Sequence, residues 1–397
     1  MRLINVFIED RSGAYDIQVS GDIIESITKA APEQSSAKRC LSFDNAIAIP
    51  GLINSHDHLD FNLFPSLGNR CYQEYREWAQ FIHHAYNAEI AKVLAIPHEI
   101  RVQWGVYKNL LCGVTTVVNH GMPLRCDGTM IDVFQNFQSL HSVGFEKFWQ
   151  LKLNNPLRIR IPVAIHIGEG INSRSSREID RLLSANIIGR ALVGIHGVGM
   201  NAAQARKFEA LVWCPASNYF MFNQTADIRS LKDKTTILFG SDSTLTSDWN
   251  ILQHIHLARR ENALSDEALF RALTTSPASI WGMDKVGKIR QNYYADILVA
   301  DCKNKRGLDA ALSITPKSIL LVMKKGSVQL FDETLLPQML FMQADIKKFS
   351  CVLVEGQVKY VRGNIGQLIE RIRFYYPDAS LPVKIVEPKE QLNAYTS

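Results

Sequence analysis

The middle of the chain alternates short apolar runs with stretches in which apolar residues recur at helical spacing. The runs that predict strands are 47–56, 114–119, 162–167, 191–196, 210–214 and 235–240. The last four begin about 20 to 30 residues apart, which is typical of βα units with parallel strands and crossover helices. Their continuous apolar character predicts strands that are buried on both faces.

The two ends of the chain follow a different pattern. Residues 1–48 and the region after residue 285 carry short β-like runs separated by turns, which predicts one small β unit built from both termini. We therefore expect the β unit in 1–48 and 286–397, with a tail, and the βα core in 49–285. The stretch 62–112 is long for a βα connection and predicts a helical insertion. It would serve as a lid or substrate wall, or its aromatic residues would simply pack against the core.

Composition narrows the class of protein. Of 397 residues, 46% are hydrophobic and 21% charged, as in ordinary globular proteins. The formal charge of +5 comes without Lys/Arg blocks, so nothing indicates nucleic-acid binding. The seven cysteines are scattered without a CxxC pair, which favours reduced thiols over a disulfide framework. We find neither a signal peptide nor an apolar run of about 18 residues, so we expect a cytoplasmic protein without a membrane partner.

Histidines and a carboxylate follow several of the predicted strands. His56 and His58 lie two residues apart, and residues i and i+2 of a strand point to the same face. His166, His196 and Asp242 each end or follow a later strand. Reactive groups of βα barrels lie at the carboxyl ends of strands, and imidazole with carboxylate suits zinc or ferrous iron. Any one histidine could be a hydrogen-bonded core residue, but together these residues predict a metal site.

Glu169 adds a second carboxylate three residues after His166. A metal-bound water has its pKa lowered to about 7 and can supply hydroxide at neutral pH. A carboxylate beside that water can take its proton. Glu169 is therefore a candidate for carrying a proton to a substrate.

These motifs resemble the amidohydrolase superfamily, in particular its cytosine deaminase/chlorohydrolase-like branch. The resemblance spans nearly the whole chain and implies a distorted (β/α)8 TIM barrel with a β-sandwich formed by both termini. The matching elements are PGLINSHDHL (50–59), GVTTVV (113–118), HIGEG (166–170), GIHGVGM (194–200), VWCPASN (212–218), GSDS (240–243) and ADILVAD (295–301).

The resemblance also implies roles for individual residues. One divalent metal ion, with zinc favoured and iron as the alternative, would be bound by His56, His58, His166 and Asp242. Asp242 would also deprotonate the attacking water. Glu169 would carry a proton to a ring nitrogen or leaving group, and His196 would hydrogen-bond the water or substrate oxygen.

The resemblance raises one alternative for the metal site, and the chain departs from the family pattern in one segment. Binuclear relatives bridge two metals with a carboxylated lysine on the fourth strand; the candidate is Lys152, although the His-x-x-Glu element is typical of the one-metal branch. The chain between Val118 and His166 is too short for two full βα units. We expect the third and fourth units to be abbreviated, with residues 146–153 as one remaining strand.

Three further residues are candidates for substrate contact: His120, Trp213 and Asn218. His120 ends the second predicted strand, and Trp213 and Asn218 flank the loop after the seventh. Strand core and turn capping are the alternatives for the last two. His254 and His256 also form a His-x-His, but they lie in a predicted helix, where such residues point about 200° apart.

The favoured function is hydrolysis of a non-peptide C–N bond through metal-activated hydroxide, most simply deamination of a heterocyclic or amidine-like small molecule. The same site could serve an amide, cyclic-amide or chlorinated-ring hydrolase. A barrel without catalysis, used for binding, is the alternative from another class. Family resemblance also favours a homodimer.

Overall fold

The computed structural model describes residues 1–30, 39–124, 128 and 130–387. Its strands are β1 (Arg2–Ile8), β2 (Ala14–Ser20), β3 (Ile23–Lys29), β4 (Cys40–Pro50), β5 (Leu52–Asp57), β6 (Val114–Asn119), β7 (Asp132–Phe134), β8 (Gln138–Ser142), β9 (Val163–Ile167), β10 (Leu192–His196), β11 (Ala210–Trp213), β12 (Thr236–Phe239), β13 (Ile297–Asp301), β14 (Ile319–Lys324), β15 (Ser327–Asp332), β16 (Phe349–Val354), β17 (Gln357–Arg362) and β18 (Val383–Ile385).

The α-helices are α1 (Tyr75–Ala85), α2 (Asn87–Leu94), α3 (His98–Leu110), α4 (Trp149–Leu153), α5 (Ser173–Ala185), α6 (Ala202–Ala205), α7 (Pro215–Phe222), α8 (Ile228–Leu231), α9 (Ile251–Glu261), α10 (Asp266–Ala272), α11 (Thr275–Ile280), α12 (Gly307–Ala311), α13 (Leu336–Phe341) and α14 (Ile365–Tyr375). Short 3-10 turns occur at Leu59–Phe61, Pro156–Arg158, Pro316–Ser318, Glu333–Leu335 and Ile346–Lys348. Across the described ranges, no helix combines the length and apolarity needed to span a bilayer.

One ten-stranded sheet joins the two ends of the chain, in the order β18-β16-β17-β15-β14-β13-β4-β1-β2-β3. The junction is the antiparallel pair β4–β13, in which Ala48 lies opposite Val299. Its core includes Leu3, Phe331 and Tyr360, all almost fully buried. The two termini therefore share one sheet and one buried core.

The eight remaining strands form a parallel barrel in two arcs, β5-β6-β7 and β8-β9-β10-β11-β12. Val118, Ala164, Val193, Val212 and Leu238 belong to one buried cluster. The residues next to them along each strand belong instead to the cluster that includes the helices. Because neighbouring residues of a strand face opposite sides, the first cluster fills the barrel and the second packs outside it. The predicted fold class is confirmed.

The predicted strand 47–56 is divided in the structure at Gly51. Its first part ends β4 of the terminal sheet, and its second part is β5 of the barrel. A Cβ on Gly51 would lie 2.3 Å from the side chain of Thr115, so the chain can pass between the two sheets here only without a side chain. Hydrophobicity could not show this break, because the residues on both sides of it are buried.

The segment of the barrel between β6 and β9 differs from the prediction. Residues 146–153 were predicted as the remaining strand, and this was wrong: Trp149–Leu153 form helix α4. The strand is β8, which begins only a few residues after β7. Since β7 pairs with β6 and β8 pairs with β9, one nearly continuous segment spans the place of two strands. There is no room for a crossover helix between them.

The insertion after β5 contains α1, α2 and α3. Helix α3 lies directly against the turn that follows His58: a Cβ on Gly105 would be 2.2 Å from the backbone oxygen of Leu59. Trp104 Nε1 donates to the Asn62 backbone oxygen at 2.9 Å. The insertion is therefore packed against the strand that carries the His-x-His pair.

We predict that Gly105→Ala destabilises the protein, by about 1–3 kcal/mol, because backbone atoms of the Leu59 turn would have to move. The matched control is Gly366→Ala in α14, where the nearest atom to an added Cβ is 3.6 Å away. That change should leave stability unchanged or raise it. Thermal unfolding midpoints of the two variants test this; equal midpoints would contradict the close packing of α3.

Candidate active site

Four predicted metal ligands meet at the carboxyl ends of the barrel strands. His56 lies on β5 and His58 directly follows it, His166 lies on β9, and Asp242 follows β12. The Nε2 atom of His166 lies 3.2 Å from Nε2 of His56 and 3.3 Å from Nε2 of His58. Asp242 Oδ1 lies 3.6 Å and 3.8 Å from the same two histidine nitrogens. The structure therefore brings all four predicted ligands together.

These donors fall into two groups that could each hold a divalent ion and that share His56: His56 with His58 and His166, and His56 with His196 and Asp242. Ligands of zinc at bond lengths of about 2.0–2.1 Å are separated by roughly 3.3 Å in a tetrahedron, close to the 3.2 and 3.3 Å between the histidine nitrogens. The Nδ1–H of His166 donates to the backbone oxygen of His141 at 2.8 Å. This fixes the proton on Nδ1 and leaves the Nε2 lone pair for a metal ion.

Burial keeps the imidazoles of His56 and His166 neutral, which is the form that binds metal. Desolvation lowers the pKa of His56 to about 4. It also holds the pKa of His166 well below its usual range, and the neighbouring histidines add to the effect. Both rings are therefore unprotonated at pH 7.

Asp242 is held as an oriented carboxylate. Its Oδ2 accepts from Ser217 Oγ at 2.7 Å and Thr246 Oγ1 at 3.0 Å, and its Oδ1 from the Ser243 backbone N–H at 2.8 Å. Hydrogen bonds of this kind favour the charged form. The sequence analysis did not predict a role for Ser217 or Thr246. Ser217 lies within the VWCPASN element, and Thr246 lies three residues after the GSDS element.

Two functional candidates have left-handed backbone conformations, with φ of +72° at His196 and +57° at Asp242. Non-glycine residues rarely adopt this region, and each instance costs about 1–3 kcal/mol. His196 is the last residue of β10 and Asp242 follows β12, and both side chains turn toward the cluster. Such strain is common at functional sites.

His196 lies between the two candidate catalytic carboxylates. Its Nε2 is 3.6 Å from Glu169 Oε1 and 3.9 Å from Asp242 Oδ2. Its Nδ1–H donates to Asn218 Oδ1 at 2.9 Å, which orients the ring. Asn218 was predicted as a substrate contact, but in the structure its side chain positions His196.

Trp213 is not brought to the metal ligands. It is fully buried in the cluster outside the barrel, edge-on to Phe239. Its Nε1 donates to Thr225 Oγ1 at 2.7 Å, and the same oxygen accepts from Asn218 Nδ2 at 3.1 Å. The prediction that Trp213 contacts the substrate was wrong, because side chains alternate along β11 and this ring points away from the barrel interior.

Glu169 is a buried acid beside His196. Burial raises its pKa to about 7, and the carboxylates of Asp242 and Glu178 act in the same direction. A carboxyl group with such a pKa can both take and release a proton at neutral pH. The insertion covers this residue, since the Tyr75 backbone N–H donates to the Glu169 backbone oxygen at 3.1 Å.

His120 lies against the ligand cluster. Its ring centroid is 4.4 Å from that of His166 and 5.3 Å from that of His56. It is 2% exposed, and neither ring nitrogen has a hydrogen-bond partner. Buried polar groups are normally satisfied, so this ring is available to a water molecule or a substrate.

Lys152 does not belong to the cluster of candidate metal ligands. It lies on α4 with about half of its side chain exposed, paired with Glu146. It therefore does not supply the bridging ligand of a binuclear site. His254 and His256 lie on α9, as predicted, and neither belongs to the candidate metal-binding groups found among the described residues.

Comparison with known proteins agrees with these observations. The profile of the Amidohydrolase family matches residues 157–328. The chain is 21% identical over 379 residues to the 5-methylthioadenosine/S-adenosylhomocysteine deaminase of Pyrococcus furiosus, covering 78% of this chain and 87% of that protein.

Two solved structures have a similar fold. An adenosine deaminase from Xanthomonas campestris with bound zinc matches with a TM-score of 0.65 and 16% identity, over 95% of this chain and 97% of that one. The zinc complex of atrazine chlorohydrolase from Arthrobacter aurescens matches with a TM-score of 0.63 and 18% identity, over 83% and 93%.

A parallel barrel with histidine and carboxylate side chains converging at the carboxyl ends of its strands defines a class of metal-binding (β/α)8 proteins. Within that class, the chain is similar to the amidohydrolases, as its motifs predicted: the model of the Amidohydrolase family matches residues 157–328.

The raised pKa of Glu169 has a consequence for the stability of metal-free protein. Because the folded pKa is about 7 and the ordinary value is 4.5, this group stabilises the fold fully below about pH 4.5, and the contribution is lost as pH rises through 7. We predict that Glu169→Gln removes this dependence, worth roughly 3 kcal/mol. Urea unfolding of both proteins between pH 5 and 8 measures the difference; parallel curves would contradict the buried acid.

Proposed function

We propose that this protein is a metal-dependent hydrolase that cleaves a non-peptide C–N bond and deaminates a heterocyclic or amidine-like small molecule. The observation that carries the proposal is the convergence of the four candidate ligands beside Glu169, a buried acid whose pKa is about 7. One divalent ion, with zinc favoured and iron as the alternative, would lower the pKa of a water molecule to about 7.

The residues of the chain would divide the proton transfers. Asp242, fixed by Ser217 and Thr246, accepts the proton of the attacking water. Glu169 delivers a proton to a ring nitrogen or to the departing amino group, which a neutral acid near pH 7 can do. His196, oriented by Asn218, hydrogen-bonds the oxygen that becomes negative as the water adds. His120, with two unpaired ring nitrogens, contacts the substrate.

The relatives support deamination and also define its main alternative. The Pyrococcus protein and the Xanthomonas structure are named as deaminases. The Arthrobacter structure is a chlorohydrolase, so hydrolysis of a chlorinated ring, an amide or a cyclic amide is the second candidate on the same site. A barrel that only binds ligands is disfavoured, because such proteins typically lose metal ligands, and the four candidate ligands and Glu169 are all present in this chain.

The proposal also includes the cellular location and the binding partners of the protein. The cysteines in the described part of the chain form no disulfide, which supports a reducing, cytoplasmic location. Its partner is a small-molecule substrate, and a homodimer remains a prediction.

The first test is metal content. We expect about one zinc or iron per chain in the purified protein, lost in the His56→Ala/His58→Ala variant because two of four ligands are removed. Elemental analysis of both proteins measures it. Absence of metal from the wild type, with none taken up on adding zinc or iron, would overturn the proposal.

The second test separates the reaction types. A panel of aminated heterocycles assayed for ammonia should yield a substrate, with chlorinated and cyclic-amide analogues assayed in parallel for chloride and ring opening. Activity confined to the analogues would replace deamination by the alternative.

Glu169→Gln should retain the metal and its affinity but lose at least about 100-fold in turnover, because the amide cannot transfer a proton. Elemental analysis and kcat on the substrate found above measure the two effects separately. Turnover like that of the wild type would exclude Glu169 as the proton carrier.

A further inference from the structure

Asp57 lies between the two ligand histidines and points away from them. Alternation along β5 turns its carboxylate toward α3, where it is fully buried. Its Oδ1 accepts from Asn62 Nδ2 at 2.8 Å, and its Oδ2 from Asn109 Nδ2 at 2.7 Å and Lys108 Nζ at 3.1 Å. A charge buried to this extent needs such partners.

Lys108 reaches two parts of the barrel from α3. Besides Asp57, its Nζ lies 3.2 Å from Ser241 Oγ and 3.4 Å from the backbone oxygen of Asp242. Its side chain is 1% exposed. One ammonium group therefore contacts the strand that carries His56 and His58 and the turn that carries the carboxylate ligand.

The strand β5 and the turn after β12 meet where the barrel lacks a regular ladder of backbone hydrogen bonds. In the described residues, β5 and β12 belong to different sheets. They are linked instead by the Asp242 backbone N–H to the His56 oxygen at 3.0 Å and by the Ser241 backbone N–H to Asn54 Oδ1 at 3.0 Å. The Asp242 peptide is also in the left-handed region, so its carbonyl needs fixed donors to hold that conformation.

We infer that Lys108 is a positioning residue for the metal site: through Asp57, Ser241 and the Asp242 carbonyl, it sets the separation between the His-x-His ligands and the carboxylate ligand. The inference rests on the proposed function, because it concerns the geometry of the metal site. It extends that function to a residue on the inserted helix that contacts neither metal nor substrate.

The chain offers a matched control for the loss of a buried ion pair. Lys359 and Asp332 form a second pair in the terminal sheet, 2.7 Å apart and 1% and 3% exposed. Removing the lysine from either pair leaves an uncompensated buried carboxylate and destabilises the fold. Only the pair with Lys108 contacts the ligand-bearing segments.

The test compares Lys108→Met with Lys359→Met in metal-stripped, full-length protein titrated with cobalt(II) and, by chelator competition, with zinc. We expect Lys108→Met to bind both metals about 10- to 100-fold more weakly, the usual effect of removing a group that supports a metal ligand. Its cobalt d–d spectrum should also change, because the Asp242 ligand is displaced. Lys359→Met should keep the affinity and spectrum of the wild type.

A second pair of variants makes the test possible even if the single variants do not fold. Asp57→Asn/Lys108→Met removes both charges and avoids an unpaired one, and Asp332→Asn/Lys359→Met is its control. Wild-type affinity and spectrum in the folded Lys108 variant, single or double, would overturn the inference while leaving the hydrolase intact. A wild type that binds neither cobalt nor zinc would instead overturn the proposed function. Weaker binding in both members of a pair would assign Lys108 to general stability only.

Discussion

Closure of the parallel barrel is the constraint on which the site depends. The candidate ligands come from the end of β5, from β9 and from the turn after β12, so they can meet only if the first and last strands lie side by side. At that junction, side chains and single backbone hydrogen bonds replace a ladder. The buried groups around Asp57 and Lys108 connect the two segments that carry the candidate ligands.

Burial has opposite effects on the two kinds of titratable group in the site. Desolvation keeps the rings of His56 and His166 neutral and ready to bind a cation. The same desolvation raises the pKa of Glu169 toward neutrality, where proton transfer is efficient. The insertion contacts the Glu169 loop, since the Tyr75 backbone N–H donates to the Glu169 backbone oxygen.

The side of the barrel between β6 and β9 shows how far the fold tolerates a shorter chain. A single bent segment, β7 followed by β8, pairs with one neighbour and then with the other. None of the candidate ligands comes from this segment. The barrel can be reduced there because the ligand-bearing strands are supported by their remaining neighbours.

The sequence determined which residue types were available and where strands end. β6, β9 and β10 lie within one residue of their predicted limits, and each predicted ligand belongs to one of two candidate metal-binding groups that share His56. Strand periodicity is local, so it can be read from neighbouring residues. Only the tertiary structure decided that Trp213 faces outward, that residues 149–153 are helical, and that Lys108 reaches Asp57 and Asp242. Those outcomes depend on contacts between segments far apart in the chain, for which a single sequence carries no local signal.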